Sequence, residues 1–397
     1  MDVLSRIKSV EELELEGRRV FMRVDLNCPV DDDGLITDDA RITAALPTIQ
    51  FARQRGARLV LCSHLGRPKG RPRKELSLLA VGERLAELLR SEVLLPDDCI
   101  GDGPKKLIQN LREGQVVLLE NVRFHKGEAK NDDTFARALA ALGQSYVSDA
   151  FGCTHRPHAS VVGVPKVLND RAAGLQFLKE VRALQRVFTP DRPFVLVVGG
   201  AKIASRIGVI ENLLGACESV LIGGAMAYTF LSALGVDVGS SPVEHDKIAH
   251  VKRVLLKAEA KGVRLVLPSD HMTAEGRVVQ NGRLQPSDTA IDLGPESTAE
   301  FTTLIRGARS VLWTGPMGVY EQPLGANGTE QVAAAVAQVT ESVVVGGETA
   351  VALRRAGLVP FVRHVSSGGG AALELLEGKE LPGLEALRQN RRGSDGP

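Results

Sequence analysis

Short apolar runs alternate with longer amphipathic stretches along the whole chain. In the first half, RRVFMRVDLN, RLVLCSH, QVVLLENVRF and SYVSDAFG are short, apolar and rich in β-branched residues, which predicts strands. Between them, ITAALPTIQFARQRG, SLLAVGERLAELLR and DDTFARALAALG repeat apolar residues at helical spacing. Pro47 inside the first of these helices predicts a kink or a late helix start.

The second half of the chain repeats this alternation. Its strand candidates are FVLVVGG, SVLIGG, RLVLPSD, SVLWTGPMG, SVVVGG and RHVSSGGG, and its helix candidates include HDKIAHVKRVLLKAEAKG and GTEQVAAAVAQV. Strands that alternate with helices predict parallel sheets covered by helices on both faces. The predicted fold class is therefore α/β, with doubly wound, Rossmann-like sheets.

The length of the chain predicts more than one core. A chain of 397 residues exceeds the size at which a single hydrophobic core usually stops growing. The stretch from Ala172 to Phe188 has the pattern of one amphipathic helix and is followed by TPDRP. We therefore predict two domains, with this helix as the connector between them.

Composition and charge narrow the function classes. The formal net charge of +1 provides no whole-molecule field that would attract nucleic acid or an anionic membrane. The five cysteines are widely spaced without a C-x-x-C pair, which disfavours a disulfide framework and a structural zinc site. The N-terminal stretch MDVLSRIKSVEELELEG is charged, and no apolar run approaches the ~20 residues of a membrane span. We expect a cytoplasmic protein with reduced thiols and no nucleic-acid or membrane partner.

The two halves differ in the residues that follow their strands. In the first half these residues are polar or basic: Arg23, Asp25, Asn27, His64, Arg67, Asn121, Arg123, Asp149, His155 and Arg156. In the second half they are glycines, at 199–200, 223–224, 346–347 and 368–370. Ligands of open α/β sheets bind beyond the carboxyl ends of the strands. Arginine side chains there would bind an anion, whereas glycines let backbone N–H groups approach a polyphosphate.

Each of these signals has a structural alternative. Glycine pairs are common in turns, a single His or Arg is usually structural, and Asp38 and Asp39 suit a helix cap. VLVVGGAKIASRIG is a phosphate site or a tight turn, and it is not a Walker loop because Ile203 follows Lys202. Several arginines in one crevice would repel each other without an anion, which favours the anion site. For HVSSGGGAALELLEG, a plain turn and an anion site at a helix N-terminus are equally supported.

Motifs for other kinds of catalysis are missing from the sequence. We find no Ser-His-Asp pattern, no H-E-x-x-H, no His/Cys cluster with metal spacing and no G-x-G-x-x-G after the first strand. The missing glycine motif argues against the alternative of a nicotinamide-dependent dehydrogenase. A substrate carboxylate would be ionised at neutral pH and would need no general base. Phosphoryl transfer needs mainly positioning and charge neutralisation, which Arg, Lys, glycine loops and Mg²⁺ supply.

Ten stretches taken together resemble the phosphoglycerate kinase family. In chain order they are RVDLNCPV, ITDDARI, SHLGRPKG, LLENVRFHKGE, SDAFGCTHRPHASVVG, GGAKIASRIGVIENLL, GGAMAYTFL, LGPEST, WTGPMGVYE and HVSSGGGAALELLEGKELPGL. They span nearly the whole chain, and those around Arg156 and the C-terminal glycines are highly specific. The resemblance implies Mg²⁺-dependent, reversible phosphoryl transfer between ATP and the carboxylate of 3-phosphoglycerate, giving ADP and 1,3-bisphosphoglycerate.

The resemblance also implies a domain organisation and a closing motion. The expected parts are a 3-phosphoglycerate-binding domain (1–171), the connecting helix (172–189), a nucleotide-binding domain (190–375) and a segment that returns to the first domain (376–397). Each substrate would bind its own domain, so hinge-bending closure would bring the two together. A monomer that acts in glycolysis or gluconeogenesis is expected.

Match of motif implies a role for each candidate residue. The catalytic residues would be Arg41, Lys202, Gly369 and Gly370. Phosphoglycerate would contact Asp25, Leu26, Asn27, Arg41, His64, Leu65, Gly66, Arg67, Arg123 and Arg156. The nucleotide would contact Gly200, Ala201, Lys202, Arg206, Gly224, Gly294, Pro316, Glu321, Gly346, Gly347, Glu348 and Thr349. Lys202 would stabilise the transferring phosphoryl group, Glu321 would bind the ribose, and Glu348 would bind Mg²⁺.

The nucleotide half departs from the family pattern, whereas the aligned positions of the anion site keep it. Ser205 and Arg206 stand where the family usually has Asp and Lys, and Thr314 stands in place of Asn. Val345 and Glu348 stand where it usually has Gly and Asp. Arg keeps the charge of Lys but not its reach. We predict an active kinase with altered nucleotide affinity or rate; the alternative is a weakened member that serves as a ligand-binding regulator.

Overall fold

The computed structural model describes residues 2–31 and 34–389. Within them the chain forms two units: an N-terminal unit of residues 2–182 and 380–389, and a C-terminal unit of residues 183–379. The division falls inside one helix, between Arg182 and Ala183. The part of the expected terminal segment at 390–397 lies outside the described residues.

A six-stranded parallel sheet forms the centre of the N-terminal unit. Its strands are β1 (Arg19–Arg23), β2 (Arg58–Cys62), β3 (Val93–Leu94), β4 (Val116–Leu118), β5 (Ser145–Ser148) and β6 (Arg171–Ala173), in the order β3-β4-β2-β1-β5-β6. Its helices are α1 (Ala40–Gln54), α2 (Leu79–Leu89), α3 (Asp102–Gln109), α4 (Lys126–Lys130), α5 (Asp133–Ala140), α6 (Val164–Val167) and α7 (Leu175–Arg186), the last of which crosses into the C-terminal unit. The strands are almost continuously apolar because they are buried, and Met22, Leu61 and Leu118 belong to the core.

The C-terminal unit contains a second six-stranded parallel sheet and a small antiparallel one. Its strands are β7 (Phe194–Val198), β8 (Ser219–Ile222), β9 (Arg264–Val266), β10 (Asp270–Thr273), β11 (Val278–Gln280), β12 (Ala290–Leu293), β13 (Ser310–Thr314), β14 (Glu341–Val345) and β15 (His364–Val365). The parallel sheet has the order β15-β14-β13-β7-β8-β9, and the antiparallel sheet has the order β11-β10-β12. The helices are α8 (Ile207–Leu213), α9 (Met226–Ala233), α10 (Ile248–Ala260), α11 (Pro295–Arg306), α12 (Asn327–Val336), α13 (Gly347–Arg355) and α14 (Gly370–Leu376).

The last described residues belong to the N-terminal unit. They contain α15 (Pro382–Leu387). Gly383 N donates to Thr154 O at 2.8 Å, and Arg171 Nη2 donates to Arg388 O at 2.6 Å. Gln389 N donates to Arg6 O at 2.8 Å. This segment therefore ties the end of the described chain to its beginning.

Short helical turns complete the secondary structure. Turns of 3-10 type lie at Val10–Glu12, Lys74–Leu76, Val122–Phe124, Phe151–Cys153, Ile203–Ser205, His245–Lys247, Pro323–Gly325 and Val359–Phe361, and a π-helical turn lies at Ala159–Gly163. None of the helices in the described part of the chain has the length and apolar character needed to span a membrane.

The predicted α/β class is confirmed, but several predicted elements have different bounds. The predicted helix 172–188 begins only at Leu175, because Arg171–Ala173 pairs as an edge strand with β5. Gly174 separates the two elements, and a Cβ on it would lie 2.2 Å from Asp149 Oδ1. A late start of the first helix is also wrong, because α1 begins at Ala40 and contains Pro47.

Two further corrections concern strands. The predicted strand QVVLLENVRF ends at Leu118, and residues 122–124 form a turn in which Asn121 Oδ1 accepts from Arg123 N. The segment RLVLPSD splits between β9 and β10, which belong to different sheets. In both cases tertiary pairing, rather than apolar content, decides where the strand ends.

Candidate functional site

The parallel strands of each sheet bring their carboxyl ends to one edge. In the N-terminal unit the loops after β1, β2 and β4 carry Asp25, His64 and Arg123. In the C-terminal unit the strands β7, β8, β13 and β14 each run into a glycine turn. We call the groups at the first edge the anion cluster and the glycine turns at the second edge the glycine site.

The loop after β1 organises the anion cluster, which consists of Arg23, Asp25, Asn27, Arg41, His64, Arg123 and His158. Asp25 forms an ion pair with Arg41 of α1, and its carboxylate raises the pKa of Arg41. Asn27 Oδ1 accepts a hydrogen bond of 2.8 Å from Gly66 N, which joins the loops after β1 and β2. The ion pair and the hydrogen bond thus hold the loop after β1 against α1 and against the loop after β2.

Gly66 also anchors Arg123. Arg123 Nη1 donates to Gly66 O at 2.8 Å, and Asn121 Nδ2 donates to Leu65 O at 2.8 Å. The predicted backbone contact Leu26 is buried, and its N–H donates to Ser63 Oγ at 3.0 Å. Burial and the nearby charge of Arg23 lower the pKa of Arg123 to about 10. A half-buried guanidinium beside other cations is therefore held at the strand ends.

His64 lies inside this positive field and is neutral. Its Nδ1 is 3.0 Å from Arg23 Nη2, which can only donate, so Nδ1 accepts and Nε2 carries the proton. Burial first, then the charges of Arg23 and Arg123, hold the pKa of His64 well below its ordinary value. Burial and the same two arginines lower the pKa of His158 to about 4. The cluster thus repels additional protons and favours an anion.

Arg23 and His158 are members of the cluster that the sequence-based site omits. Arg23 is completely buried, and its Nε donates to Ser160 Oγ at 2.9 Å. Ser160 Oγ in turn donates to Glu128 Oε1 at 2.6 Å. The signal for Arg23 was its position inside the apolar run RVFMRV, since a charged residue in a buried strand needs a partner.

Two predicted members lie at the surface. Arg67 follows His64 on the loop after β2, and its side chain is exposed. Arg156 is also exposed, and its Nε donates to His155 Nε2 at 3.1 Å. The structure therefore packs Asp25, Arg41 and Arg123 into the cluster and leaves these two arginines in solvent.

Two of the predicted glycine pairs are required by close packing of the turns. Gly199 N donates to Thr314 O and Gly224 N to Met317 O, both at 2.8 Å. A Cβ on Gly199 would lie 2.1 Å from Pro316 O. By contrast, apart from the adjacent backbone, no atom of the described residues lies within 4 Å of a Cβ placed on Gly347 or Gly369. In the turns at 199–200 and 223–224, glycine is thus required by packing, as the structural alternative predicts. At Gly347 and Gly369 there is open space instead.

These turns surround a cavity of about 300 Å³ in the C-terminal unit. The predicted residues that line it are Gly200, Ala201, Gly224, Pro316, Glu321 and Glu348. Tyr228, Ile291, Val319 and Tyr320 also line it and were missed, because they lie in apolar stretches typical of a core. The cavity therefore combines backbone, apolar walls and two carboxylates.

Arg206 is packed beside this cavity. It is 9% exposed, and its Nη1 donates to Ser205 Oγ at 2.9 Å. A Cβ on Gly315 would be 3.0 Å from Arg206 Nε, and one on Gly200 would be 3.5 Å from its Nη2. Nε is buried without a hydrogen-bond partner in the described chain. Burial lowers the pKa of Arg206, against the opposing effect of Glu348.

The other predicted nucleotide residues have varied surroundings. Lys202 is exposed and caps the turn Ile203–Ser205. Thr349 Oγ1 accepts from Gly315 N at 2.7 Å, and Gly346 has a φ of 107°. Gly294 is packed against Asp270, where a Cβ would lie 2.2 Å from Cγ, and it does not line the cavity.

Comparison with known proteins identifies the family. The family model "Phosphoglycerate kinase" matches residues 10–379. Phosphoglycerate kinase of Anaeromyxobacter dehalogenans strain 2CP-C is 50% identical over 395 residues, covering 96% of this chain and 100% of that protein. Phosphoglycerate kinase of Koribacter versatilis is 45% identical, covering 96% and 98%.

Solved structures agree with this result. The structure of phosphoglycerate kinase from Coxiella burnetii has a TM-score of 0.88 and 38% identity, covering 96% of this chain and 99% of that one. The structure of phosphoglycerate kinase from Pyrococcus horikoshii OT3 has a TM-score of 0.83 and 31% identity, with the same coverage.

Proposed function

Because the chain belongs to the phosphoglycerate kinase family and is therefore a phosphotransferase, we propose that it transfers a phosphoryl group reversibly between ATP and the carboxylate of 3-phosphoglycerate. The observation that supports this most is the anion cluster. The charges of Arg23, Arg41 and Arg123 all act on His64, and burial together with neighbouring arginines lowers the pKa values of His64 and His158. Such a field is balanced by an anionic substrate.

In the N-terminal unit, the anion cluster would hold 3-phosphoglycerate. Arg123, together with the exposed Arg67 and Arg156, would bind its phosphate through charge-assisted hydrogen bonds. His64 would donate from Nε2, and Asp25 and Asn27 would bind hydroxyl groups. The backbone of Leu26, Leu65 and Gly66 would line the same site.

Arg41 would lie beside the reacting carboxylate. Asp25 fixes the direction of its guanidinium through the ion pair. Its charge would offset the negative charge that accumulates when two anions approach each other. We therefore assign Arg41 to the reaction and the other cluster members to substrate binding.

In the C-terminal unit, the glycine site would hold the nucleotide. The cavity would take the base and ribose, with Glu321 as the ribose ligand. Arg206 would donate from its unpartnered Nε to a phosphate, and residues 346–349 would cover the phosphates. Lys202, Gly369 and Gly370 would stabilise the phosphoryl group in transfer.

The donor set fits a hard divalent cation. Glu348 is an exposed carboxylate at the first turn of α13 and lines the cavity, and Mg²⁺ prefers oxygen ligands of this kind. Glu348 would hold Mg²⁺, which, when bound, neutralises phosphate charge. The reaction itself needs no general base from this chain, because the acceptor carboxylate is already ionised at neutral pH.

The two substrates bind different units in this proposal. Transfer therefore requires a motion that brings carboxylate and γ-phosphate into line and excludes water, which would otherwise hydrolyse the acyl phosphate. We further propose that the protein acts as a monomer in the cytoplasm, within glycolysis or gluconeogenesis.

A second candidate function is a regulator that binds ligand without efficient catalysis. The departures near the glycine site favour it, since Thr314 Oγ1 and Arg206 Nε are buried without partners in the described chain. The alternative of a nicotinamide-dependent dehydrogenase, in contrast, is not supported, because the chain belongs to the kinase family.

A coupled assay for acyl phosphate formation from ATP and 3-phosphoglycerate tests the proposal. We expect activity that depends on both substrates and that falls strongly in Lys202→Ala and Arg41→Ala. The exposed Lys252→Ala and Arg306→Ala serve as matched controls and should retain activity. Absence of turnover with intact binding of both ligands would instead support the regulator.

A further inference from the structure

A carboxylate, a thiol and an imidazole come together outside both proposed substrate sites. The ligand atoms of Asp98, Cys99 and His125 all lie within 4.8 Å of one another. Carboxylate oxygen, thiolate sulfur and imidazole nitrogen are all ligands that Zn²⁺ takes in proteins. The sequence did not reveal them, because His125 comes 26 positions after Cys99 and no C-x-x-C or H-x-x-x-H spacing is present.

Two chain segments place these groups. Asp98 and Cys99 lie between β3 and α3, and His125 lies between the turn Val122–Phe124 and α4. Asp98 Oδ1 is 2.6 Å from His125 Nε2 and accepts from Cys99 N at 2.6 Å. The His125 ring stacks on Phe135 with 5.1 Å between centroids, which holds its orientation.

A cavity gives an ion access to the cluster. Its volume is about 430 Å³, and Asp97, Asp98 and His125 are among its lining residues. Cys99 is completely buried behind them, whereas the Asp98 side chain is 48% exposed. An ion would therefore enter from the cavity, with sulfur on its inner side and an open position on its outer side.

A tetrahedral ion requires a small movement of these groups. Metal–ligand distances of zinc imply about 3.3 Å between nitrogen and oxygen ligands and about 3.6 Å between sulfur and either of them. The 2.6 Å between Asp98 Oδ1 and His125 Nε2 must therefore open by roughly 0.7 Å. Because the Asp98 side chain is 48% exposed, its rotation is sufficient to open this distance while His125 stays stacked on Phe135.

A second cluster with similar ligand types does not meet this requirement. Asp25, His64 and Cys153 also lie within 4.8 Å of one another. Arg23 Nη2, however, is 3.0 Å from His64 Nδ1 and 3.6 Å from Cys153 Sγ, so a guanidinium already occupies the place of a cation. That cluster belongs to the anion site.

We propose that Asp98, Cys99 and His125 form a binding site for a thiophilic divalent cation of the Zn²⁺ class, with its fourth position open to the cavity. Binding replaces the Cys99 thiol proton by the metal, and the proton leaves to solvent. Thiolate, carboxylate and neutral imidazole then balance the charge of the ion. A bound ion would tie the segment after β3 to the segment that carries His125.

Co²⁺ is the probe of choice, because thiolate ligation produces a charge-transfer band and tetrahedral geometry intensifies its visible d–d bands. The full chain, freed of metal by chelator, would be titrated with Co²⁺ and then with Zn²⁺. We expect both bands to saturate at one equivalent, to disappear when Zn²⁺ displaces Co²⁺, and to be accompanied by a higher Tm.

Variants identify the ligands. Cys99→Ser and His125→Gln should lose the tetrahedral spectrum, whereas Cys217→Ser and Cys153→Ser should retain it. His125 is only half-buried, so His125→Gln keeps the test decisive if Cys99→Ser fails to fold. The proposal is overturned if the unmodified chain shows no thiolate band, if the intense tetrahedral d–d bands survive in His125→Gln, or if the thiolate band is lost in Cys153→Ser instead.

Discussion

Thr314 and Val345 are Cα partners in the parallel pairing of β13 and β14, so two of the positions at which we propose departures from the family pattern lie side by side. Both side chains are completely buried. Gly315, the residue after Thr314, lies against the Arg206 guanidinium, where a Cβ would be 3.0 Å from Nε. Thr314, Val345 and Arg206 thus form one neighbourhood, and the effects of substitutions there should not be additive.

Substituting Thr314 and Val345 by the residues that the family usually has, singly and together, tests this coupling. Thr314→Asn alone adds volume beside Val345 and should cost about 1–3 kcal/mol of unfolding free energy. Val345→Gly alone removes a buried side chain and should cost about 2–4 kcal/mol. Because the glycine makes room for the larger amide, the double variant should lose at least ~1 kcal/mol less than the sum. Urea unfolding measures all three, and simple additivity would contradict the coupling.

Restoration of the whole family pattern tests the effect on nucleotide use. The variant carries Arg206→Lys, Thr314→Asn, Val345→Gly and Glu348→Asp. Lys presents a compact charge where Arg presents a planar fork, and Asp withdraws the carboxylate by one methylene. We expect its turnover or its KM for ATP to differ from that of the natural sequence. Equal values for both quantities would show that the departures are neutral.

Arg206 should contribute to nucleotide affinity but not to stability. Arg206→Met removes a buried charge with an unpartnered Nε, so unfolding free energy should stay equal or rise by about 1 kcal/mol. Loss of one charge-assisted hydrogen bond, about 1.5–3 kcal/mol, should raise the KM for ATP at least tenfold. Arg253→Met, at an exposed site on α10, is the matched control and should change neither. A large loss of stability in Arg206→Met would indicate a structural role.

Substitution by alanine should lower the unfolding free energy at Gly199 but not at Gly347. Gly199→Ala forces Cβ against Pro316 O, at 2.1 Å, and should cost about 3 kcal/mol of unfolding free energy or more. Gly347→Ala meets nothing within 4 Å at the start of α13, so stability should be unchanged or slightly higher. If Gly347 lies under the phosphates, the KM for ATP should nevertheless rise. Equal stability losses in the two variants would contradict these packing roles.

His158 should make stability fall in mild acid. Its folded pKa is about 4, below the ordinary 6.5, so the unfolded chain binds more protons between these values. The contribution is complete above about pH 6.5 and declines as pH falls toward 4, by about 2 kcal/mol at pH 5. Burial raises the pKa of Asp149 to about 7, so its effect is opposite: over the same range it favours the folded state as pH falls. Urea unfolding of the parent and of His158→Gln gives the difference in their unfolding free energies. This difference should shrink as pH falls.

Closure of the two units is testable in solution. Small-angle scattering with ATP analogue and 3-phosphoglycerate together should show a smaller radius of gyration than with either ligand alone. No additional compaction would contradict the proposed closing motion.

Part of the site could be predicted because its signals are local. The basic residues after strands, such as Arg123 and His64, are visible in a single stretch of sequence, and parallel strands bring such ends to one edge. Arg23 was noted as a basic residue at a strand end but was not assigned to the site, and His158 was not assigned because it lies beyond the strand ends. Their roles depend on partners such as Ser160, which is 137 residues away from Arg23 along the chain.

By itself the sequence determined the α/β class, the two-core organisation and the types of residue at the strand ends. Periodicity and motif content are properties of short stretches, so they can be recognised without knowledge of the fold. Only the tertiary structure decided which strands are neighbours, and hence that Thr314 lies beside Val345 and that Cys99 meets His125. It also separated the glycine that packing requires at 199 from the one with open space at 347. The reason is physical: such contacts join distant segments and depend on strand order and turn packing, which no local pattern encodes.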